Sequence, residues 1–136
     1  MTFKVDSIAD MSEVASVISS KLNSSPIVLL NGAMGSGKTT LVTLLMEQVD
    51  PSVEVSSPTY SIVQVYETPQ GPYYHFDLYR LAGPEELLDF GFDEYLDSGQ
   101  PCLIEWPEIA EALLPDKGVM KVDISLKNGH RSVSIN

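Results

Sequence analysis

The spacing of apolar positions changes several times along the chain, and each change marks an element. Ile8, Met11, Val14, Ile18 and Leu22 recur at helical spacing, which predicts a helix over residues 7–22 capped by Ser7 or Asp10. Residues 2–5 before it read as a strand. Residues 27–30 are a short all-apolar run, which suits a strand buried on both faces. Leu41, Leu44 and Leu45 then fall on one side of a helix over 38–48. Ser57 and Pro58 break the pattern. Alternation over 61–68 and 73–81, with Pro69-Gln70-Gly71-Pro72 as the turn, predicts a hairpin. Pro84, Glu85 and Glu86 open a short helix that Gly91 ends, and a second short helix spans 93–98. A buried strand over 102–106 and a short helix over 108–114 follow. Strands over 119–127 and 131–135 flank Asn128-Gly129, a strong hairpin signal. The sum is one α/β domain with parallel and antiparallel parts.

A chain of 136 residues fits one domain and buries roughly 65–70% of its unfolded surface, enough for a core without disulfides. The single cysteine, Cys102, lies in an apolar run and reads as a buried thiol in a reducing compartment. No basic, then apolar leader opens the chain, and no apolar run approaches membrane length. A soluble cytoplasmic protein is expected, with no membrane partner.

Charge sharpens this picture. Nineteen acids oppose eight bases, for a net charge of −11. Such a surface repels nucleic-acid phosphates, so direct binding of DNA or RNA by this chain alone is disfavoured. The distribution is uneven: no Asp or Glu occurs between Val14 and Met46, whereas ten acids and no Lys or Arg occur from Glu85 to Asp116. The acidic stretch reads as a solvated face, with a docking surface as the alternative.

The acid-free window contains Gly32-Ala33-Met34-Gly35-Ser36-Gly37-Lys38-Thr39, which matches G-x-x-x-x-G-K-[ST]. The four fixed positions match by chance at roughly 3 in 100,000 starting points, so an accident in a chain this short is remote. The context agrees, with a strand before and a helix after. The glycines free the backbone so that successive N–H groups cradle phosphate oxygens, and the helix that follows aims its positive end at the same place. Lys38 then reaches the β- and γ-phosphates, and the Thr39 hydroxyl ligates Mg²⁺.

Such a site also needs carboxylates. Glu105 ends the apolar run Cys102-Leu103-Ile104, where a metal-binding acid often stands; an ordinary strand-end carboxylate is the alternative. In His75-Phe76-Asp77-Leu78-Tyr79-Arg80, alternation puts His75, Asp77 and Tyr79 on one face. A polar sheet edge is the bland account of that face. His75 alone reads as a hydrogen-bonded structural histidine, and His130 as a surface residue. Ser57-Pro58-Thr59-Tyr60 is either a switch segment whose Thr59 senses the γ-phosphate or a plain strand start. The guanine-reading Asn/Thr-Lys-x-Asp is missing, which favours ATP over GTP. The chain has two arginines, Arg80 and Arg131, and no length for an arginine-bearing lid. If transition-state charge needs an arginine, a partner has to supply it.

These motifs occur in a telling order: G-A-M-G-S-G-K-T-T, V-S-S-P-T-Y, H-F-D-L-Y-R-L, E-E-L-L-D-F-G-F-D-E-Y-L and I-E-W-P-E. Over about residues 27–108 the chain resembles the TsaE family, the P-loop ATPase of bacterial tRNA threonylcarbamoyladenosine biosynthesis. The loop alone is generic; H-x-D-L-Y-R-L followed by I-E-W is far more specific. The resemblance implies a P-loop NTPase-like single domain over 1–136, with a mixed, partly antiparallel central sheet flanked by helices. It implies a small, Mg-dependent ATPase, monomeric when isolated and slow alone. Its partners would be the TsaB and TsaD proteins, which place threonylcarbamoyl on adenosine 37 of tRNA, so tRNA is met only through the complex.

Carried onto this chain, the resemblance implies ATP or ADP held by residues 32–40, namely Gly32, Ala33, Met34, Gly35, Ser36, Gly37, Lys38, Thr39 and Thr40, with Thr59 and Trp106 as neighbours. Thr39 and Glu105 would ligate Mg²⁺, and Asp77 would be a catalytic or switch acid. Which of Asp77 and Glu105 handles metal and which handles water stays open. Ala33 departs from the family, where an acid is common after the first loop glycine. Two other functions share the loop: a small-molecule or nucleoside kinase, and a nucleotide-responsive adaptor that does not hydrolyse.

Overall fold

The computed structural model describes residues 1–56 and 61–136. Strand β1 (Thr2–Val5) leads into α1 (Ile8–Lys21), and β2 (Ile27–Asn31) into α2 (Lys38–Val49). A hairpin of β3 (Val63–Thr68) and β4 (Gly71–Asp77) is followed by two short helices, α3 (Pro84–Asp89) and α4 (Phe92–Asp97). Strand β5 (Cys102–Glu105) runs into a 3₁₀ helix (Pro107–Leu113), and β6 (Val119–Lys127) with β7 (His130–Ile135) forms the last hairpin.

The strands make one mixed seven-stranded sheet in the order β1-β7-β6-β2-β5-β4-β3. β4, β5, β2 and β6 run parallel at its centre. β3, β7 and β1 join antiparallel to their neighbours at the flanks. The expected mixed α/β domain is the one found.

The all-apolar run of β2 has a simple cause: both faces of the sheet are covered. Val28 and Leu30 join a core with Leu103 of β5, Val122 of β6 and the buried faces of α1 and α2. Ile27 and Leu29 join a second core with Phe76, Phe92, Ile104 and Ala110, under the short helices. Ser7 caps α1 by accepting from the Asp10 amide at 3.1 Å, and the Asp10 carboxylate accepts the Asp6 amide at 2.9 Å, satisfying two amides at the helix start. Asn128 and Gly129 take φ of 52° and 78°, as a two-residue hairpin turn requires.

Several boundaries differ from those the pattern predicts. Thr68 pairs with Gly71, so the first hairpin turn is Pro69-Gln70 alone. β3 begins at Val63, after Ile62 has taken a positive φ of 65°. β4 stops at Asp77, because the Leu81 amide bonds to the Leu78 carbonyl and the chain turns there. β5 stops at Glu105, because Trp106 takes φ 55°. The short helix expected over 108–114 is found as a 3₁₀ helix over Pro107–Leu113.

Candidate functional site

The parallel strands end in one row. Leu30 of β2 stands opposite Glu105 of β5, and Glu105 opposite Asp77 of β4. Loop 32–37 springs from the end of β2 beside this row and turns into α2. That puts a helix N-terminus, a lysine and two carboxylates at one sheet edge, where ligands of open α/β sheets bind. Gly37 is the N-cap of α2 with φ 115°, a conformation that a side chain resists. A methyl carbon at Gly32 would meet Ser36 Oγ at 2.5 Å and the Ile124 carbonyl oxygen at 3.1 Å, so a side chain there would force the loop's neighbours to shift.

Lys38 is the first residue of α2 and is buried. Its Nζ donates to the Gly32 carbonyl at 2.8 Å and lies 3.5 Å from the centroid of the Trp106 ring. Burial lowers the Lys38 pKa, and the charges of Glu105, Asp77 and Glu108 offset part of that. The positive φ of Trp106 turns the chain out of β5 and sets the indole beside the lysine. The Tyr79 ring packs against the same indole at 4.9 Å between centroids.

Glu105 is 4% exposed. Its Oε2 accepts from Thr39 Oγ1 at 3.5 Å and faces His75 Nε2 at 2.6 Å. His75 is fully buried, and its Nδ1 is 2.8 Å from the Tyr66 hydroxyl, which lies 2.9 Å from the Ser56 carbonyl oxygen. Asp77 Oδ1 accepts the Tyr79 amide at 3.0 Å.

These groups line an open cavity of about 380 Å³ bounded by Lys38, Thr39, Asp77, Glu105, Tyr79 and Trp106, with Met34, Gly35, Gly37 and Thr40 at the loop side. A hydroxyl and a carboxylate within 3.5 Å of each other are hard oxygen donors, the chemistry Mg²⁺ takes, with water and phosphate to complete its shell. The residues present therefore fit that ion. A second cavity of about 330 Å³ begins on the other side of Thr40 and is lined by Ser7, Met11, Leu126, Gly129 and Arg131, among others. A methyl carbon at Gly37 would lie 3.7 Å from Arg131 Cζ, so this guanidinium packs against loop 32–37.

A family model described as "Threonylcarbamoyl adenosine biosynthesis protein TsaE" matches residues 5–133. The chain belongs to the TsaE family. Among its relatives, the "tRNA threonylcarbamoyladenosine biosynthesis protein TsaE" of Haemophilus influenzae is 39% identical over 109 residues, covering 80% of this chain and 68% of that one. The protein of the same name from Rickettsia prowazekii is 37% identical, covering 89% and 84%. That of Treponema pallidum is 32% identical, covering 95% of both chains. A solved structure, "Crystal structure of Bacillus subtilus YdiB", superposes with a TM-score of 0.75 over 99% of this chain and 83% of that one; at 22% identity it supports the fold.

In this TsaE-family chain, loop residues Met34, Gly35, Gly37, Lys38, Thr39 and Thr40 meet Asp77, Glu105 and Trp106 in one cavity. Gly32 joins them through its carbonyl on Lys38. Ala33 is at the exposed outer turn, where its carbonyl accepts the Ser36 amide at 3.0 Å, and Ser36 Oγ is buried with no hydrogen-bond partner among the described residues. Thr59, with the rest of 57–60, lies outside the described residues. Four residues were not singled out for the site by sequence: Tyr66, Tyr79 as the packing partner of Trp106, His75 as the partner of Glu105, and Arg131. The polar face of 75, 77 and 79 was a usable signal for two of them. Nothing in the local pattern around Tyr66 or Arg131 points to the loop.

Proposed function

We propose that this protein binds and hydrolyses ATP in support of tRNA threonylcarbamoyladenosine formation, acting with the TsaB and TsaD proteins. The observation that carries the proposal is the convergence of Lys38, Thr39, Asp77 and Glu105 on one cavity at the mouth of a phosphate-binding loop. Family membership supplies the biosynthetic context, and the net charge of −11 favours meeting tRNA through partners.

The chain's own groups divide the work. Loop amides and the α2 N-terminus bind phosphate oxygens, and Lys38 adds a charge that strengthens as burial excludes water. Thr40 also borders the second cavity, where Arg131 offers a cation beside the loop. Thr39 and Glu105 would hold Mg²⁺, which when bound supplies charge neutralisation at the phosphates. Asp77 lines the same cavity and orients the attacking water, accepting its proton as the γ-phosphate departs. The tyrosine and tryptophan rings wall the cavity on its remaining side.

No arginine lines the first cavity among the described residues. This supports the expectation that a partner supplies the cation for hydrolysis. It also speaks against a self-sufficient small-molecule kinase.

Reconstitution tests the proposal. Adding this protein and ATP to a TsaB–TsaD pair, tRNA and a threonylcarbamoyl donor should raise the yield of threonylcarbamoyladenosine, and Lys38→Ala should remove the gain. Equal yields with and without the protein would overturn it.

A further inference from the structure

We propose that His75 is the positioning residue for Glu105, fixing the carboxylate oxygen that faces Thr39. The proposal rests on the reading of Glu105 as the metal-facing acid and deepens it.

The geometry is specific. His75 precedes Asp77 on the same face of β4 and stands opposite Leu103, two register positions below the Asp77–Glu105 pair. Its side chain therefore reaches along the sheet to Glu105 rather than into the cavity, whose lining does not include it. Glu105 Oε2 takes two polar neighbours, His75 Nε2 at 2.6 Å from beneath and Thr39 Oγ1 at 3.5 Å from the loop side. An ionised Glu105 makes Nε2 the donor of the shorter bond, and that bond selects one carboxylate orientation. The other ring nitrogen is 2.8 Å from the Tyr66 hydroxyl, so the imidazole cannot swing away without breaking a second buried bond. The Tyr66 hydroxyl also lies 2.9 Å from the Ser56 carbonyl oxygen. Burial raises the Tyr66 pKa, which keeps the phenol a neutral hydroxyl. With Nε2 donating to Glu105, Nδ1 accepts the Tyr66 hydroxyl hydrogen, for which the Ser56 carbonyl is the alternative acceptor, so the chain of buried bonds runs from Tyr66 through His75 to the acid. Outer partners of this kind set the orientation of metal-facing carboxylates, and losing one typically weakens metal binding by about 10–100-fold.

The test separates aiming from packing. Gln at position 75 carries its amide out to about the place of Nε2, whereas Asn reaches only the place of Nδ1. ADP-loaded protein is titrated with Mg²⁺ while Trp106 fluorescence is followed, and ADP affinity is measured separately in EDTA. His75→Asn should raise the half-saturating Mg²⁺ concentration about tenfold or more, and His75→Gln should restore most of it. Metal-free ADP affinity should stay at the wild-type value in both. Equal behaviour of Asn and Gln, or loss of metal-free ADP affinity in step with Mg²⁺, would overturn the proposal. If neither His75 variant folds, Tyr66→Phe decides: it keeps the ring, and a weakened Mg²⁺ response supports the proposal, whereas an unchanged one overturns it. Failure of the wild-type protein to bind ADP in EDTA and in Mg²⁺ alike would instead overturn the nucleotide site itself, and His75's role with it.

Discussion

The ammonium of Lys38 stands 3.5 Å from the centroid of the Trp106 ring while donating to the Gly32 carbonyl. A cation this close to the face of the chain's one tryptophan perturbs its emission, so any event that moves the lysine is readable by fluorescence. Lys38→Ala removes that cation and one charge-assisted phosphate contact. The expected loss is about 1.5–3 kcal/mol, or roughly ten- to a hundredfold in MgADP affinity. A fluorescence titration checks it, and the emission of the unliganded variant should also differ from that of wild type.

Asp77 stands opposite Glu105 in the strand register, yet the hydrogen bond from Thr39 goes to Glu105. The two acids should therefore fail differently. Asp77→Asn should cut ATP hydrolysis by about a hundredfold or more while leaving MgADP affinity within about threefold. Glu105→Gln should abolish the effect of Mg²⁺ on nucleotide binding. Identical profiles for the two variants, measured by phosphate release and by fluorescence, would contradict this division.

Alkaline pH offers a test that needs no loss of a side chain. Burial lowers the pKa of Lys38, so its charge is lost at a lower pH than that of an ordinary lysine. On the proposed reading the charged form grips phosphate, so ADP affinity should be full below that lowered value and fall as pH rises through it. Lys38→Arg keeps its charge throughout and should flatten this decline. Calorimetric titrations across the alkaline range would show the slope in one protein and its absence in the other.

Cys102 is fully buried in β5, and desolvation pushes its pKa up to about 12. A raised thiol pKa means that the neutral thiol persists at pH 8, so thiol reagents should label the native protein no faster than it unfolds. Urea should bring the rate to that of a free cysteine.

Phe76 is fully buried on the face away from the nucleotide side, with Phe90, Phe92 and Tyr95 around its ring. Phe76→Ala should cost about 3–5 kcal/mol of stability, read from the urea midpoint. Asp77 follows directly on the same strand, so nucleotide affinity should suffer only as far as the protein unfolds.

What sequence pattern reveals, and what it conceals, follows from the physics of each feature. Periodicity is a local property, so β2, α1, α2 and the last hairpin were legible, each with its apolar spacing or turn residues intact. The bend of loop 32–37 was legible because its backbone demands glycine at fixed positions. Strand ends were not, because they depend on neighbours: the apolar pattern carries on past Asp77, but the chain turns at Leu78 once its hydrogen bonds find other partners. The end of β5 at Glu105 is a similar case, set by a positive φ at a tryptophan that no propensity would select. The contacts of Tyr66, His75 and Arg131 join residues from separate strands, and local spacing carries no record of which strands will lie together.

The placement of β1 at one edge of the sheet, with β7 as its neighbour, has a consequence in time. Thr2 meets Ser134 and Val5 meets Arg131, so β1 cannot pair until β7, made more than a hundred residues later, is available. Contacts of such long sequence separation close late. The same final hairpin carries Arg131 to the glycine-rich turn before α2. During synthesis, loop 32–37, Asp77 and Glu105 are therefore made well before the guanidinium that packs against the loop.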